Sequence, residues 1–459
     1  MGASMSGCVF DEALIQKYNR QGPRYTSYPT ALEFTPIQEG VEQEILQTRD
    51  SRIGLSLYFH IPFCRHLCYY CACNKIITKK NADSGNYLAY LFQEIAHKRA
   101  LLKGAPTVEQ VHLGGGTPTF LSDEELVSLW RFLKEKFVFD AAGDYSVEID
   151  PREIRPTTLA TLKELGVNRL SFGVQDLDET VQIAVNRVQP LALIEQVMTQ
   201  ARALGFDSIN IDLIYGLPHQ TPASMARTIE EIIKLNPDRL SVFNYAHLPE
   251  RFSSQRKINE ADLPSASDKL LMLSNIITAL MMAGYHYIGI DHFARPEDAL
   301  AKAQAKGCLH RNFQGYTTLG HLDLLGFGVS AISQIGAHIL QNDTELSLYQ
   351  QKIAQNTLPA AKHIKASLGD QLRGYVIMNL LCHDYMDFLD INHRFGIDPV
   401  TYFADELAQL ADMKQDALVD IDAKGVRILP KGRLLGRNVA MVFDEYLGKA
   451  HTKRFSRVI

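Results

Sequence analysis

The chain has no surplus of positive charge. Its 47 lysines and arginines stand against 52 aspartates and glutamates, a formal net charge of −5. That balance argues against a nucleic-acid partner held by bulk electrostatics. No apolar run is long enough to span a bilayer, so no membrane span is expected. Met1 to Gly7 lack the basic and apolar regions of a secretory signal. Cysteine is sparse outside one stretch. Cys8, Cys308 and Cys382 are scattered and odd in number, unlike a disulfide framework, which points to a reducing, cytoplasmic setting. A G-x-G-x-x-G run between strand and helix is also missing, which weakens a dinucleotide-binding reading.

What the chain does have is four of its seven cysteines inside ten residues, Cys64, Cys68, Cys71 and Cys73. They follow Leu55–His60, a run of β-formers that reads as a buried strand. Thiolates this dense repel one another unless a soft metal centre neutralises them. The spacing Cys64-x₃-Cys68-x₂-Cys71 supplies three ligands where a closed iron–sulfur cluster wants four. Structural zinc is the competing reading, although zinc ligands more often come as two separated pairs.

From Leu55 onward strand, loop and helix repeat. Strands are expected at Leu55–His60, Gln110–Leu113, Tyr145–Ile149, Arg169–Phe172, Ile209–Ile214 and Arg239–Phe243. Helical periodicity lies between them, as in Asn86–Lys103, Asp123–Lys136 and Ala192–Leu204. Regular βα alternation implies a parallel sheet. The expected fold is α/β: an incomplete (β/α)6 TIM-like barrel with an N-terminal arm and a small, mainly helical C-terminal domain. The boundaries read as 1–50 for the arm and a helix covering the active site, 51–365 for the barrel and its extension, and 366–459 for the helix-rich domain, with a short hairpin near Leu418–Leu429. Barrel chemistry sits at the C-terminal ends of the strands. Here those ends carry the cysteines, Gly114-Gly115-Gly116-Thr117-Pro118-Thr119, Glu148 with Asp150, Gly173-Val174-Gln175-Asp176, Asp212, and Asn244-Tyr245-Ala246-His247. Each alone is more often a cap or a turn. Their recurrence on successive strands makes a site hypothesis. The aromatic arm Gly22–Thr30 reads on composition as an extended surface tail, and alternatively as a cover over a cavity with Arg24 offered to a carboxylate.

The three-cysteine spacing, with Tyr70 just before Cys71, resembles the signature of radical S-adenosylmethionine enzymes. The likeness extends further. His60-Ile61-Pro62-Phe63-Cys64, the additional Cys73, the Gly114–Thr119 run, Glu148–Glu153 and Asn210–Pro218 are similar to the bacterial oxygen-independent coproporphyrinogen III oxidases. So are Asp291–Ala294, His310–Tyr316 and the terminal Phe455–Ile459. No motif position departs from that pattern.

The resemblance implies a 4Fe–4S cluster on Cys64, Cys68 and Cys71, with one iron left for S-adenosylmethionine. It implies oxidative decarboxylation of two propionates of coproporphyrinogen III to vinyl groups. It also implies two S-adenosylmethionine molecules. Tyr58, Tyr70, Gly115, Glu148 and Ile332 would contact the cluster-bound one, and Gly116, Thr117, Gln175, Arg187, Asp212 and Ala246 the second. Phe313 and Gln314 would line the substrate side, and Arg24, His310 and Arg311 are candidate anchors for propionates. A flavodoxin- or ferredoxin-like reductant, a separate electron acceptor and a monomeric state complete the expectation. The alternative within the superfamily is a haem-binding chaperone without decarboxylase activity. Cys73 distinguishes the two, since the oxidases carry it and the chaperone-like relatives typically have an aromatic there.

Overall fold

The computed structural model describes residues 8–447. The segments Met1–Gly7 and Phe455–Ile459, both used above, lie outside the described residues. The chain forms two compact units. One comprises Phe34–Ser265 and His321–Lys365; the other takes the residues up to Glu33, Ala266–Gly320 and the residues from Ala366. The grouping is discontinuous, so residues 266–320 fall with the C-terminal segment rather than with the barrel strands.

Ten strands form the main sheet of the first unit, besides the short edge strand Thr35–Pro36. They are β1 (Leu55–Ile61), β2 (Thr107–Gly115), β3 (Val138–Ile149), β4 (Arg169–Gln175), β5 (Ser208–Tyr215), β6 (Arg239–Asn244), β7 (Asp323–Phe327), β8 (Ile332–Ile335), β9 (His338–Asn342) and β10 (Ala360–Lys365). Strands β1 to β6 pair in parallel, each with the next in sequence. The helices α1 (Ala82–Leu101), α2 (Asp123–Lys136), α3 (Thr158–Leu165), α4 (Leu191–Ala203) and α5 (Pro222–Leu235) fill the connections. All six expected strands are present, extended by a few residues. In β1, Leu55, Leu57, Phe59 and Ile61 are fully buried on one face and Ser56 and His60 are buried on the other, as a strand covered on both faces requires. Helix α2 starts where its sequence says it should: Ser122 caps the Glu125 amide while Glu125 returns to the Ser122 amide, a reciprocal capping box.

One element was not expected. Strand β7 pairs in parallel with the free side of β1, and β8, β9 and β10 continue antiparallel beyond it. Strand β7 is short and interrupted by Gly326, which masks its periodicity. The glycine is needed because a Cβ there would lie 2.4 Å from the Ile332 carbonyl oxygen. Within this unit the order runs from the edge strand Thr35–Pro36 through β10, β9, β8, β7 and β1 to β6 without closing. The architecture is therefore an open, incomplete (β/α)6 barrel with an antiparallel flank.

The second unit packs the helix Ala266–Met282 with the strand His286–Gly289, and the helix Leu368–His383 with a three-stranded sheet of Tyr385–Asp387, Gly425–Ile428 and Val419–Ile421. The last two strands are the expected hairpin. The aromatic arm is not a surface tail. Tyr25 is 1% exposed, its hydroxyl donates to Asp444 at 2.8 Å, and it joins a core with Val376, Leu380, Phe403 and Phe443.

Candidate active site

The cysteine loop leaves β1 and is tied back at several points. Ile76 N–H donates to the Pro62 carbonyl and Thr78 N–H to that of Cys64. Asn186 Nδ2 holds the Leu67 carbonyl, and Ser254 Oγ and Gln255 Nε2 hold those of Cys71 and Tyr70. The glycine run lies against the root of the loop, with Gly116 N–H on the Ile61 carbonyl and Thr117 N–H on that of Phe63. Gly115 has φ +109, and a Cβ there would meet the His60 ring at 2.6 Å; one on Gly116 would meet the Pro62 carbonyl carbon at 2.7 Å. These glycines are therefore required by the protein's own packing as well as being suited to close approach by a ligand.

Cys64, Cys68 and Cys71 line one cleft of about 330 Å³ at the C-terminal ends of the strands. Tyr70, Gly115, Gly116 and Thr117 share its wall, as do Glu148, Gln175, Arg187 and Asp212. Tyr58, Ala246 and Ile332 are not part of this lining. Tyr58 instead stacks on His112 and hydrogen-bonds His60 Nδ1 at 3.1 Å. Gln175 sits in the left-handed region at φ 69, an uncommon conformation for a side-chain-bearing residue.

The thiols differ electrostatically. Burial pushes Cys64 up to about 12, partly offset by the Thr117 hydroxyl at 3.5 Å. Cys71 is drawn down to about 6 by its hydrogen bond with Cys73, against burial and with help from Lys75. Cys73 itself is pushed up by the same pairing. Cys68 Sγ accepts from Arg187 Nη1 at 3.4 Å and Arg152 Nη2 at 3.6 Å. Both guanidiniums are braced by Asp150, at 3.0 and 2.7 Å. The sequence reading attached Arg187 to a ligand and gave Arg152 no role. Its clue was present in Asp150-Pro151-Arg152, which places an arginine two residues past a strand-end carboxylate.

Two carboxylates of the lining differ from each other. Burial would raise Glu148, but His112 at 3.1 Å and the Gly115 amide at 3.2 Å hold it below its ordinary value. Asp212 is pushed up to about 6, first by burial and then by the charge of Glu148, although Ser171 and Asn210 donate to it.

Arg24, His310, Arg311, Phe313 and Gln314 belong to the second unit. Arg24 pairs with Asp291 at 3.0 Å. Arg311 is 4% exposed and stacks over Tyr316 at 4.8 Å, with Nε and Nη1 lacking hydrogen-bond partners. Burial and the neighbouring His383 hold His310 below the usual histidine range.

Against known proteins, the chain is 51% identical over 457 residues to an oxygen-independent coproporphyrinogen III oxidase from Pseudomonas aeruginosa, covering 98% of this chain and 99% of the relative. The chain belongs to this oxidase family. The Escherichia coli K12 oxidase of the same name is also 51% identical, over 98% of both chains. The solved structure of coproporphyrinogen III oxidase (HemN) from Escherichia coli, described as a radical SAM enzyme, matches with a TM-score of 0.92 at 48% identity. It covers 96% of this chain and 100% of its own. Residues 58–232 match the radical SAM superfamily and residues 366–435 the HemN C-terminal domain. As a radical SAM member of the oxidase family, the chain is an oxidoreductase that uses a 4Fe–4S cluster and S-adenosylmethionine, and the haem-chaperone alternative is not favoured.

The cleft suits that cluster. Four cysteines line it, Cys73 beside the three of the ligand spacing, and N–H and O–H donors already meet two of the sulfurs. Among the described residues no three His, Cys, Asp or Glu side chains converge on a point that holds a single ion.

Proposed function

We propose that this chain oxidatively decarboxylates two propionate side chains of coproporphyrinogen III to vinyl groups, yielding protoporphyrinogen IX without oxygen. The observation that carries the reading is the cysteine-lined cleft, with Cys64, Cys68 and Cys71 beside strand-end polar groups, in a chain that its oxidase relatives match over 98% of its length. When bound, the reduced cluster supplies the electron that cleaves S-adenosylmethionine to the radical that takes a propionate β-hydrogen, after which CO₂ and one electron leave.

In this reading Cys64, Cys68 and Cys71 hold the cluster and Tyr70 offers an apolar face to an adenine. Glu148 is kept ionised to accept from an ammonium or ribose hydroxyl. Gly116, Thr117, Gln175, Arg187, Asp212 and Ala246 would serve a second S-adenosylmethionine. Buried N–H groups of Arg311 without partners suit a substrate carboxylate. A flavodoxin- or ferredoxin-like donor, a separate acceptor, a monomer and a cytoplasmic setting complete the proposal. No helix among the described residues is long and apolar enough to cross a membrane.

Anaerobic incubation with coproporphyrinogen III, S-adenosylmethionine, a reductant and an electron acceptor should release CO₂ and form vinyl product. Tight haem binding with no decarboxylation would refute the oxidase and favour the chaperone.

Asp212 gives a pH prediction. A ligand hydroxyl or cation prefers its ionised form, which is lost as pH falls through about 6. S-adenosylmethionine affinity should therefore be constant well above that pH and fall toward about tenfold per pH unit below it. Asp212→Asn should flatten this step in equilibrium dialysis between pH 5 and 8. An unchanged pH profile in the variant would remove Asp212 from the binding set.

A further inference from the structure

The pair of guanidiniums on Cys68 is asymmetric in purpose. Arg187 is 8% exposed at its side chain and also reaches the Gly173 carbonyl, so it spans two strand ends. Arg152 does less structurally. Its Nη2 meets Cys68 Sγ at 3.6 Å, and its remaining polar contacts go to Asp150, through Nε at 3.0 Å, Nη2 at 2.7 Å and the backbone amide at 3.0 Å. Its side chain is only 14% exposed, so its charge is poorly screened. Two guanidiniums against one carboxylate leave a net positive charge directed at this sulfur. Cys64 has a hydroxyl instead, and Cys71 a neighbouring thiol and the single cation of Lys75, so neither carries a pair of guanidiniums.

We infer that Arg152, braced by Asp150, is a positioning residue that sets the reduction potential of the cluster through Cys68. This rests on the cluster reading above. Reduction adds negative charge to the cluster and its thiolates, and an N–H donor or a cation at a ligand sulfur favours that state. Arg152 therefore raises the potential, making the cluster easier to reduce by a donor. Asp150 opposes it by charge while holding the arginine in place. The same cation that eases reduction lowers the driving force for passing the electron on, so its strength sets a compromise between the two steps.

The test is a potentiometric titration followed by electron paramagnetic resonance, on anaerobically reconstituted full-length protein without S-adenosylmethionine. Arg152→Gln should shift the reduction equilibrium toward the oxidised cluster by about tenfold, 59 mV for one electron. Arg152→Lys, which keeps the charge but not the fork, should shift it less. Asp150→Asn should shift it the opposite way. Opposite signs separate a charge effect from loosening of the loop, which would move both in one direction. Equal potentials in all loaded proteins, or shifts of one sign for Arg152→Gln and Asp150→Asn, would overturn the inference. So would failure of both Arg152 variants to load a cluster that the parent loads, because Arg152 would then be structural. A parent protein that binds no iron and sulfide would instead refute the cluster reading, so the two failures are distinguishable.

Discussion

Replacing Cys64, Cys68 or Cys71 by alanine is expected to abolish reductive cleavage of S-adenosylmethionine, while Cys73→Ala leaves the cluster assembled. Loss of a hydrogen-bond partner around a metal site costs roughly 10- to 100-fold in affinity or activity, and loss of a ligand itself should exceed that. The four thiols look equivalent in sequence but not in space. Cys64 and Cys68 are each met by a donor from the strand ends, Thr117 or the two arginines. Cys71 and Cys73 share a hydrogen bond, and this lowers Cys71 to about 6 while raising Cys73. Of that pair, the shared hydrogen bond and Lys75 favour the thiolate, the ligand form, on Cys71 rather than on Cys73. Cys73 is the more exposed of the two. Iron and sulfide content after anaerobic reconstitution, with the cluster's absorption band, checks the assignment. Full iron in Cys71→Ala together with none in Cys73→Ala would exchange their roles.

The strands of the barrel were legible because each carries buried apolar residues, in a run as in β1 or in alternation as in β4, and ends in polar or glycine residues. The site was legible for the same reason, since those endings fall at one edge of the sheet by topology alone. Three features were not. Strand β7 is short and carries Gly326, whose purpose is a close approach to β8 visible only in three dimensions. The grouping of residues 266–320 with the C-terminal segment depends on contacts between distant parts of the chain, which periodicity does not encode. The arm around Tyr25 looked like a tail because its burial comes from Asp444 and a core that lie far along the chain, near its C-terminal end. Arg152 falls between these cases: its sequence neighbour Asp150 was noticed, but the distance to Cys68 was not knowable from spacing.

The least legible feature supports the largest stability prediction. On α1, Glu94 and Lys98 are spaced i, i+4, a spacing that is common for solvated surface pairs. In the structure they are 0% and 1% exposed at their side chains. Lys98 Nζ lies 2.8 Å from Glu94, 3.3 Å from Glu42 and 2.9 Å from the Gly326 carbonyl of β7. Glu94 in turn accepts from Tyr349, Asn342 and the Gly328 amide. The network thus fastens α1 to the unexpected strand β7 and to the turn that follows it. Lys98→Met removes the cation and leaves buried carboxylates with no counter-charge, a loss of about 3–5 kcal/mol. Removing the carboxylate as well, in Lys98→Met/Glu94→Gln, should recover part of that loss, because a neutral amide is cheaper to bury than an unpaired charge. The single tryptophan, Trp130, is buried on α2 in the same unit, so its fluorescence reports this unit's unfolding without interference from the other. Urea titrations should show a markedly lower midpoint for Lys98→Met and a partly restored one for the double variant. A midpoint for Lys98→Met within error of the parent would mean that the buried pair contributes no net stability. The anchoring of β7 would then rest on its parallel pairing with β1 and its buried apolar side chains.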